Sequence, residues 1–178
     1  MEKLDIAKHL GKNQEIPSNI EAEQHLLGSV LVNNDIIDEV ANIISSEKFY
    51  DPIHVKIFEV IENLNSKGMI ANPITLKNYF EKNQGLDDVG GVEYLVKLTR
   101  FSSSVKQAID YAKIVHENFV KRELIQISHN IKDDTLNSEE DKSSDLIIED
   151  AEKLLFDLAE RGSFSQSFMK FNLALDQS

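Results

Sequence analysis

Several residue types are absent or rare in this chain of 178 residues, which contains no cysteine, no tryptophan and only three prolines. Without cysteine it can form neither a disulfide framework nor a thiolate metal site, and this excludes the small disulfide-stabilised extracellular domains. No apolar run approaches the roughly 18 residues needed to span a bilayer. Residues 1–14 lack the apolar core and cleavage site of a secretory signal. We therefore expect a cytoplasmic protein with no membrane partner.

Positive charge is also scarce, with 19 Lys and Arg against 31 Asp and Glu, a formal net charge of −12. Non-specific attraction to DNA comes mainly from Lys and Arg that displace counterions. A domain this acidic should therefore bind little nucleic acid directly, and if it acts in DNA metabolism we expect it to contact proteins. The adjacent basic pair, Lys121-Arg122, is predicted to lie on a solvated helix face.

Motifs that carry catalysis are not visible. The chain has no G-x-x-x-x-G-K-[ST] phosphate loop, no H-E-x-x-H zinc motif and no G-x-S-x-G nucleophile turn. Five histidines are scattered along it. We expect a structural role for His116, and a packing or surface role for His54. The acidic run Glu139-Glu140-Asp141 lacks the calcium-loop pattern and is predicted to be a solvated hairpin tip. No catalytic, cofactor-binding or metal-binding residue is therefore predicted, and an enzyme such as a small hydrolase is disfavoured.

Helical periodicity dominates the first part of the chain. After a flexible tail predicted at 1–15, the S-x-x-E spacing of Ser18 and Glu21 indicates a capping box at a helix start. Asp51-Pro52 and Asn72-Pro73 each pair a capping side chain with a proline suited to a first helical turn. Apolar residues recur at helical spacing after each start, and no stretch shows sustained strand alternation. The prediction is an all-α fold with a compact helical head at 16–103.

A helical hairpin is predicted at 104–162. A long helix runs to about Lys132, a polar stretch follows, and a second arm returns. Apolar residues on both arms step by 4, 3 and 4, which predicts an antiparallel pair of helices. A two-helix hairpin leaves apolar surface uncovered, which is a reason to expect self-association or a partner. The residues expected to hold the hairpin and its dimer contact, although each could equally serve the hairpin core alone, are Val120, Leu124, Ile127, Ile131, Ile147, Ala151, Leu154 and Leu158.

Two further groups are candidates for contacts. Ile125 and Leu146 lie off the two stripes and are predicted to contact a partner. The last segment, 163–178, is rich in phenylalanine and leucine, which is unusual for a solvated end. It could fold back on its own domain or dock on another domain or chain, and spacing alone leaves both possibilities open. Its candidate docking residues are Phe168, Phe171, Leu173 and Leu175.

Five groups of motif residues stand in a characteristic order along the chain. They are Pro17 to Gln24 with Leu27-Gly28; Phe49-Tyr50 with His54, Ile57 and Phe58; Pro73 to Leu76 with Gly90-Gly91 and Tyr94-Leu95; Tyr111 to Val115 with Arg122 to Ile125; and Glu152 with Leu155-Phe156 and Leu158 to Glu160. Over about residues 16–162 these resemble the N-terminal domain of bacterial replicative DNA helicases of the DnaB family. Asn72 stands where the family often has Asp, and Asn caps a helix equally well.

The resemblance implies a function in DNA replication. Members of the family are ATP-dependent, 5′-to-3′ ring helicases whose N-terminal domains pair through their hairpins and close into a trimer of dimers. This collar docks primase and, in some systems, a loader protein. By this resemblance, ATP and magnesium belong to an ATPase domain expected after residue 178, and 163–178 leads toward it as a linker. The alternative hypothesis is a free-standing helical adaptor that binds replication partners.

Overall fold

A computed structural model of the protein describes residues 15–82, 90–137 and 143–162. In these ranges it contains seven α-helices and two short 3-10 helices and no strand, which confirms the all-α prediction. The 3-10 helices are Asn34–Ile36 and Ser46–Lys48. The α-helices are α1 Ile20–Val32, α2 Ile37–Ala41, α3 Pro52–Ser66, α4 Pro73–Lys82, α5 Gly91–Thr99, α6 Val105–Asn137 and α7 Ser144–Gly162.

The chain divides into two compact units. The head unit is Ser18–Phe119, and the hairpin unit joins Met1–Pro17 to Val120–Ser178. Helix α6 runs through the division, so the boundary predicted between 103 and 104 marks the start of this helix and not the end of the head unit. The flexible tail predicted at 1–15 falls outside the described residues except for Glu15, and the linker predicted at 163–178 falls wholly outside them.

The start of α1 differs from the predicted capping box at Ser18 and Glu21. The cap is Asn19, whose side-chain oxygen accepts a hydrogen bond from the backbone N–H of Ala22 at 2.9 Å. The helix begins one residue later than the box requires, and an Asn in that position satisfies a free N–H of the first turn as well as Ser does. The prediction of a helix start was right here, but the capping residue was wrong.

The starts of α3 and α4 follow their sequence signals. Asp51 accepts from the N–H of Ile53 at 2.8 Å and precedes Pro52 in the first turn. Asn72 accepts from the N–H groups of Ile74 and Thr75 at 2.9 and 3.0 Å. Both caps use side chains two or three residues from the groups they satisfy, so local sequence was sufficient to predict them.

Helix α1 lies at the centre of the head unit, where it packs against α3 and α5. Gly28 allows the close approach to α5, because a Cβ at this position would stand 2.1 Å from the carbonyl oxygen of Leu98. The apolar residues that recur at helical spacing in α1 and α3 are buried in this core: Ala22, Leu26, Leu27, Val30, Leu31, Ile57, Phe58, Ile61 and Leu64.

Asn34 fixes the loop that leads into α4. Its side-chain oxygen accepts from the N–H of Ala71 at 2.6 Å, while its amide nitrogen donates to the Ala71 carbonyl at 2.8 Å. The amide also donates to the carbonyl of Val30 at 2.8 Å. One side chain thus satisfies both backbone groups of the fully buried Ala71 and ties this loop to the end of α1.

Candidate functional site

The two arms of the hairpin unit lie side by side. One cleft is lined by residues of both arms: Asn130, Asp133 and Asp134 of α6, and Asp150, Lys153, Leu154 and Asp157 of α7. These two sets lie at similar distances along the chain from the turn that joins the arms, as expected for antiparallel helices. The arms are longer than the sequence suggested, since α6 continues to Asn137 and α7 begins at Ser144. The acidic tip predicted at 139–141 lies outside the described residues.

The structure places the eight predicted hairpin residues at different depths. Ile127 and Leu158, one on each arm, are buried. Val120, Ile131, Ile147 and Ala151 are partly buried. Leu124 and Leu154 are exposed by 44% and 37% of their surface. The two stripes therefore combine core positions with positions at the surface of the isolated chain, and their contribution to a dimer contact stays a prediction.

Helix α7 also exposes an apolar surface that the predicted stripe did not include. Its side chains are Leu146, Ile148, Leu155 and Phe156, exposed by 48, 56, 44 and 63%. We call these four residues the α7 strip. At 100° per residue, Ile148, Leu155 and Phe156 lie within about 100° of one another around the helix, whereas Leu146 lies about 160° from Ile148. Soluble chains seldom leave three large apolar side chains on one side of a helix in water unless something covers them. Leu146 was a predicted partner-contact residue, whereas Ile125 on α6 is partly buried.

The remaining members of the α7 strip could have been found from the sequence. Apolar residues of α7 occupy more positions than one helical stripe can bury, because 146–148 and 154–156 are continuous apolar triplets. The linker candidates Phe168, Phe171, Leu173 and Leu175 lie outside the described residues, and their docking role stays a prediction.

Arg122 corrects the prediction of a solvated basic pair. Lys121 is exposed, but Arg122 keeps only 5% of its surface accessible. Its guanidinium Nη1 donates to the carbonyl oxygen of Pro17 at 2.9 Å. A buried guanidinium needs such partners, because burying an unsatisfied charge is costly. Sequence spacing could not reveal this contact, since its two residues are 105 positions apart.

A buried polar network joins three helices of the head unit around Glu23, which is 1% exposed. The Glu23 carboxylate accepts from the backbone N–H groups of Tyr50 at 2.6 Å and Asp51 at 3.2 Å. It also lies 2.6 Å from Nδ1 of His54, which is fully buried. Glu23 thereby satisfies two backbone groups at the start of α3 and orients the His54 ring.

The network continues to the surface through Tyr94. Nε2 of His54 lies 2.7 Å from the Tyr94 hydroxyl, and the Gln24 amide donates to that hydroxyl at 3.2 Å. The Glu23 carboxylate can only accept, so Nδ1 of His54 carries the hydrogen and donates it, and Nε2 of the neutral ring then accepts a hydrogen bond from the Tyr94 hydroxyl. Burial raises the pKa of the Tyr94 hydroxyl above its usual range; the Gln24 hydrogen bond opposes this, and the charges of Asp51 and Glu23 add to it.

This network is a structural element, and its residues carry much of the motif pattern. Glu23 and Gln24 belong to the first motif, Tyr50 and His54 to the second, and Tyr94 to the third. The expected packing role of His54 is confirmed by its burial and its hydrogen bonds. His116 is also buried. In the described ranges no group of three or more His, Cys, Asp or Glu is placed to hold a metal ion. No helix there is long and apolar enough to cross a membrane.

Relatives named as replicative helicases resemble nearly the whole chain. Replicative DNA helicase DnaB of Rickettsia felis is 36% identical over 184 residues, which cover 99% of this chain and 37% of that protein. The protein of the same name from Rickettsia bellii is 40% identical over 163 residues, which cover 92% of this chain and 33% of the relative. The chain thus spans about a third of the length of these relatives.

Solved structures share the fold. The N-terminal domain of DnaB helicase from Mycobacterium tuberculosis superposes with a TM-score of 0.74 at 25% identity, covering 80% of this chain and 99% of that one. A DnaB-like replicative helicase, described with its interactions with primase, gives a TM-score of 0.64 at 22% identity over 90% of this chain and 35% of its own. The DnaB-like helicase N terminal domain family matches residues 15–117, and the chain belongs to this family.

Proposed function

We propose that this chain is the assembly and docking domain of a replicative DNA helicase, and that it pairs with a second copy through its hairpin unit. The observation that carries this proposal is the α7 strip, whose four large apolar side chains are each about half exposed or more. Two copies related by a two-fold axis would present the side of the helix that carries Ile148, Leu155 and Phe156 to each other and remove these side chains from water. A trimer of such dimers would form the collar of a hexameric ring.

The energetic gain from this pairing is concentrated in Phe156, the most exposed residue of the strip at 63%. Complete burial of a Phe side chain contributes roughly 1.5–3 kcal/mol relative to exposure. Because a two-fold interface contains each residue twice, covering most of both Phe156 side chains should contribute about 2–4 kcal/mol. This is sufficient to make one residue decide whether a weak dimer is populated.

Primase is the protein partner that we propose for the assembled domain, and a helicase loader is a second. The support is the similarity in fold to the helicase described with its interactions with primase. The acidic character of the chain favours contacts with proteins over contacts with DNA. Within the proposed parent enzyme, ATP and magnesium would be bound outside the described residues, and unwinding would be carried out there.

The pairing can be tested by sedimentation equilibrium of the full chain and two charge variants. Phe156→Asp should raise the dimer dissociation constant at least 30-fold, since each interface would then contain two carboxylates at apolar positions. Val32→Asp is the matched control, because Val32 is 59% exposed but belongs to the head unit. Equal dimer constants for Phe156→Asp and the unmodified chain, with helicity retained, would contradict pairing through the α7 strip.

A further inference from the structure

Glu152 lies in the middle of the side of α7 that carries Ile148, Leu155 and Phe156, which we call the pairing side. At 100° per residue, Ile148 and Leu155 fall about 40° and 60° to one side of Glu152, and Phe156 falls about 40° to the other. Along the helix axis, Glu152 stands about one turn after Ile148 and one turn before Phe156. All four residues are exposed. A second copy that covers the three apolar side chains must therefore also cover Glu152.

The charge of Glu152 is not compensated within α7. Side chains three and four residues apart are neighbours on a helix surface. For Glu152 these neighbours are Ile148, Glu149, Leu155 and Phe156, none of which is basic. The two basic residues of the helix, Lys153 and Arg161, lie about 100° and 180° away from Glu152 around it.

Two-fold symmetry brings Glu152 opposite its own copy. If two α7 helices run antiparallel and the axis passes through the middle of the pairing side, Ile148 of each copy meets Phe156 of the other, and the two Glu152 side chains meet at the axis. If the helices run parallel, each residue on the line of contact meets itself, and Glu152 again faces Glu152. Like charges placed opposite each other disfavour association, so this residue opposes the pairing that its apolar neighbours favour.

We propose that Glu152 determines partner choice at the pairing side: it weakens pairing with a second copy and favours a protein that places a lysine or arginine opposite it. This inference rests on the pairing proposed above. Burial of Ile148, Leu155 and Phe156 is non-directional and rewards any apolar partner alike. The carboxylate between them distinguishes a basic partner from the second copy, because it attracts the one and repels the other. Self-pairing is therefore weak enough for a basic partner to replace the second copy.

A charge exchange within this chain supplies the basic partner for a test. Glu152→Lys presents a lysine where a second copy presents a carboxylate. In sedimentation equilibrium at equal total concentration, a 1:1 mixture of Glu152→Lys and the unmodified chain should have a higher average mass than either chain alone, because Lys–Glu pairs replace both kinds of like-charge pair. Glu59→Lys is the matched control, since Glu59 is exposed in the middle of α3 and its exchange changes the net charge equally. Its mixture should show no excess mass.

Neutralisation of the same carboxylate measures how strongly it opposes self-pairing. Glu152→Gln should tighten the dimer about 5-fold or more, whereas Glu59→Gln should change it less than about 2-fold. If the unmodified chain dimerises and the Glu152 variants behave as the Glu59 controls do, the partner choice is overturned while the proposed pairing stands. If no chain and no mixture dimerises at the highest concentration, with helicity retained, both the pairing and the partner choice fail.

Discussion

Replacing Gly28 with alanine should destabilise the head unit by about 2 kcal/mol. The new Cβ would stand 2.1 Å from the carbonyl oxygen of Leu98, whereas ordinary contacts begin near 3.4 Å. The backbones of α1 and α5 would therefore have to separate by about 1.3 Å, the difference between these distances. Overpacking of this kind costs about 1–3 kcal/mol. A backbone carbonyl cannot rotate away as a side chain can, so we take the upper end of this range, about 3 kcal/mol. Subtracting about 1 kcal/mol for the better helix propensity of alanine leaves about 2 kcal/mol.

Urea unfolding followed by circular dichroism measures this loss, and the melting temperature should fall by about 4–8 °C for a chain of this size. Gly68→Ala is the control. Its methyl group would meet nothing within 4 Å, but Gly68 has a φ of +68°. The Gly68→Ala variant should therefore lose about 1 kcal/mol of stability, all of it from the left-handed backbone conformation at this position. A Gly28→Ala variant as stable as the unmodified protein would refute the close approach of α1 to α5.

Two further substitutions test the polar contacts of the head unit. Tyr94→Phe removes the hydroxyl from Nε2 of the buried His54 and should cost about 1–3 kcal/mol. Because the raised pKa of Tyr94 makes the native state hold its proton more tightly than the unfolded state does, stability should fall as pH rises above about 10. The loss of stability between pH 8 and pH 10.5, measured as the change in urea midpoint, should be smaller in Tyr94→Phe than in the unmodified protein, and unchanged in the control Tyr79→Phe. An equal loss in Tyr94→Phe and the unmodified protein would contradict a contribution from the Tyr94 hydroxyl. Asn34→Ala leaves both backbone groups of Ala71 without their partners and should lower the free energy of unfolding by about 2–3 kcal/mol. A loss below about 0.5 kcal/mol, that of an ordinary surface change, would contradict the structural role of the Asn34–Ala71 hydrogen bonds.

Local signals predicted the helical elements well. The caps at Asp51 and Asn72 were read correctly because each acts within three residues of its own position. The two arms of the hairpin were predicted from apolar residues that repeat every three or four positions, which is also a pattern between near neighbours in the sequence. At the start of α1, two neighbouring residues, Ser18 and Asn19, are both good caps, and spacing chose the wrong one.

Long-range contacts were beyond the reach of these signals. Glu23 and His54 are 31 residues apart, and nothing in the local pattern of either predicts a buried pair. Arg122 was assigned to solvent because arginine is seldom fully buried, and only the fold brings the Pro17 carbonyl to it. Leu146 was a predicted contact residue, but Ile148, Leu155 and Phe156 of the α7 strip were missed for a different reason. A search for one stripe per helix cannot show that a helix has more apolar positions than its partner covers.

Assembly through the hairpin unit is the central claim, and the solution mass of the unmodified chain tests it most directly. Light scattering across a range of concentrations should show the mass rising from the monomer value of 20.2 kDa to twice that value. A further step to six copies would support a trimer of dimers. A mass that stays at 20.2 kDa at the highest concentration would contradict self-assembly by this domain.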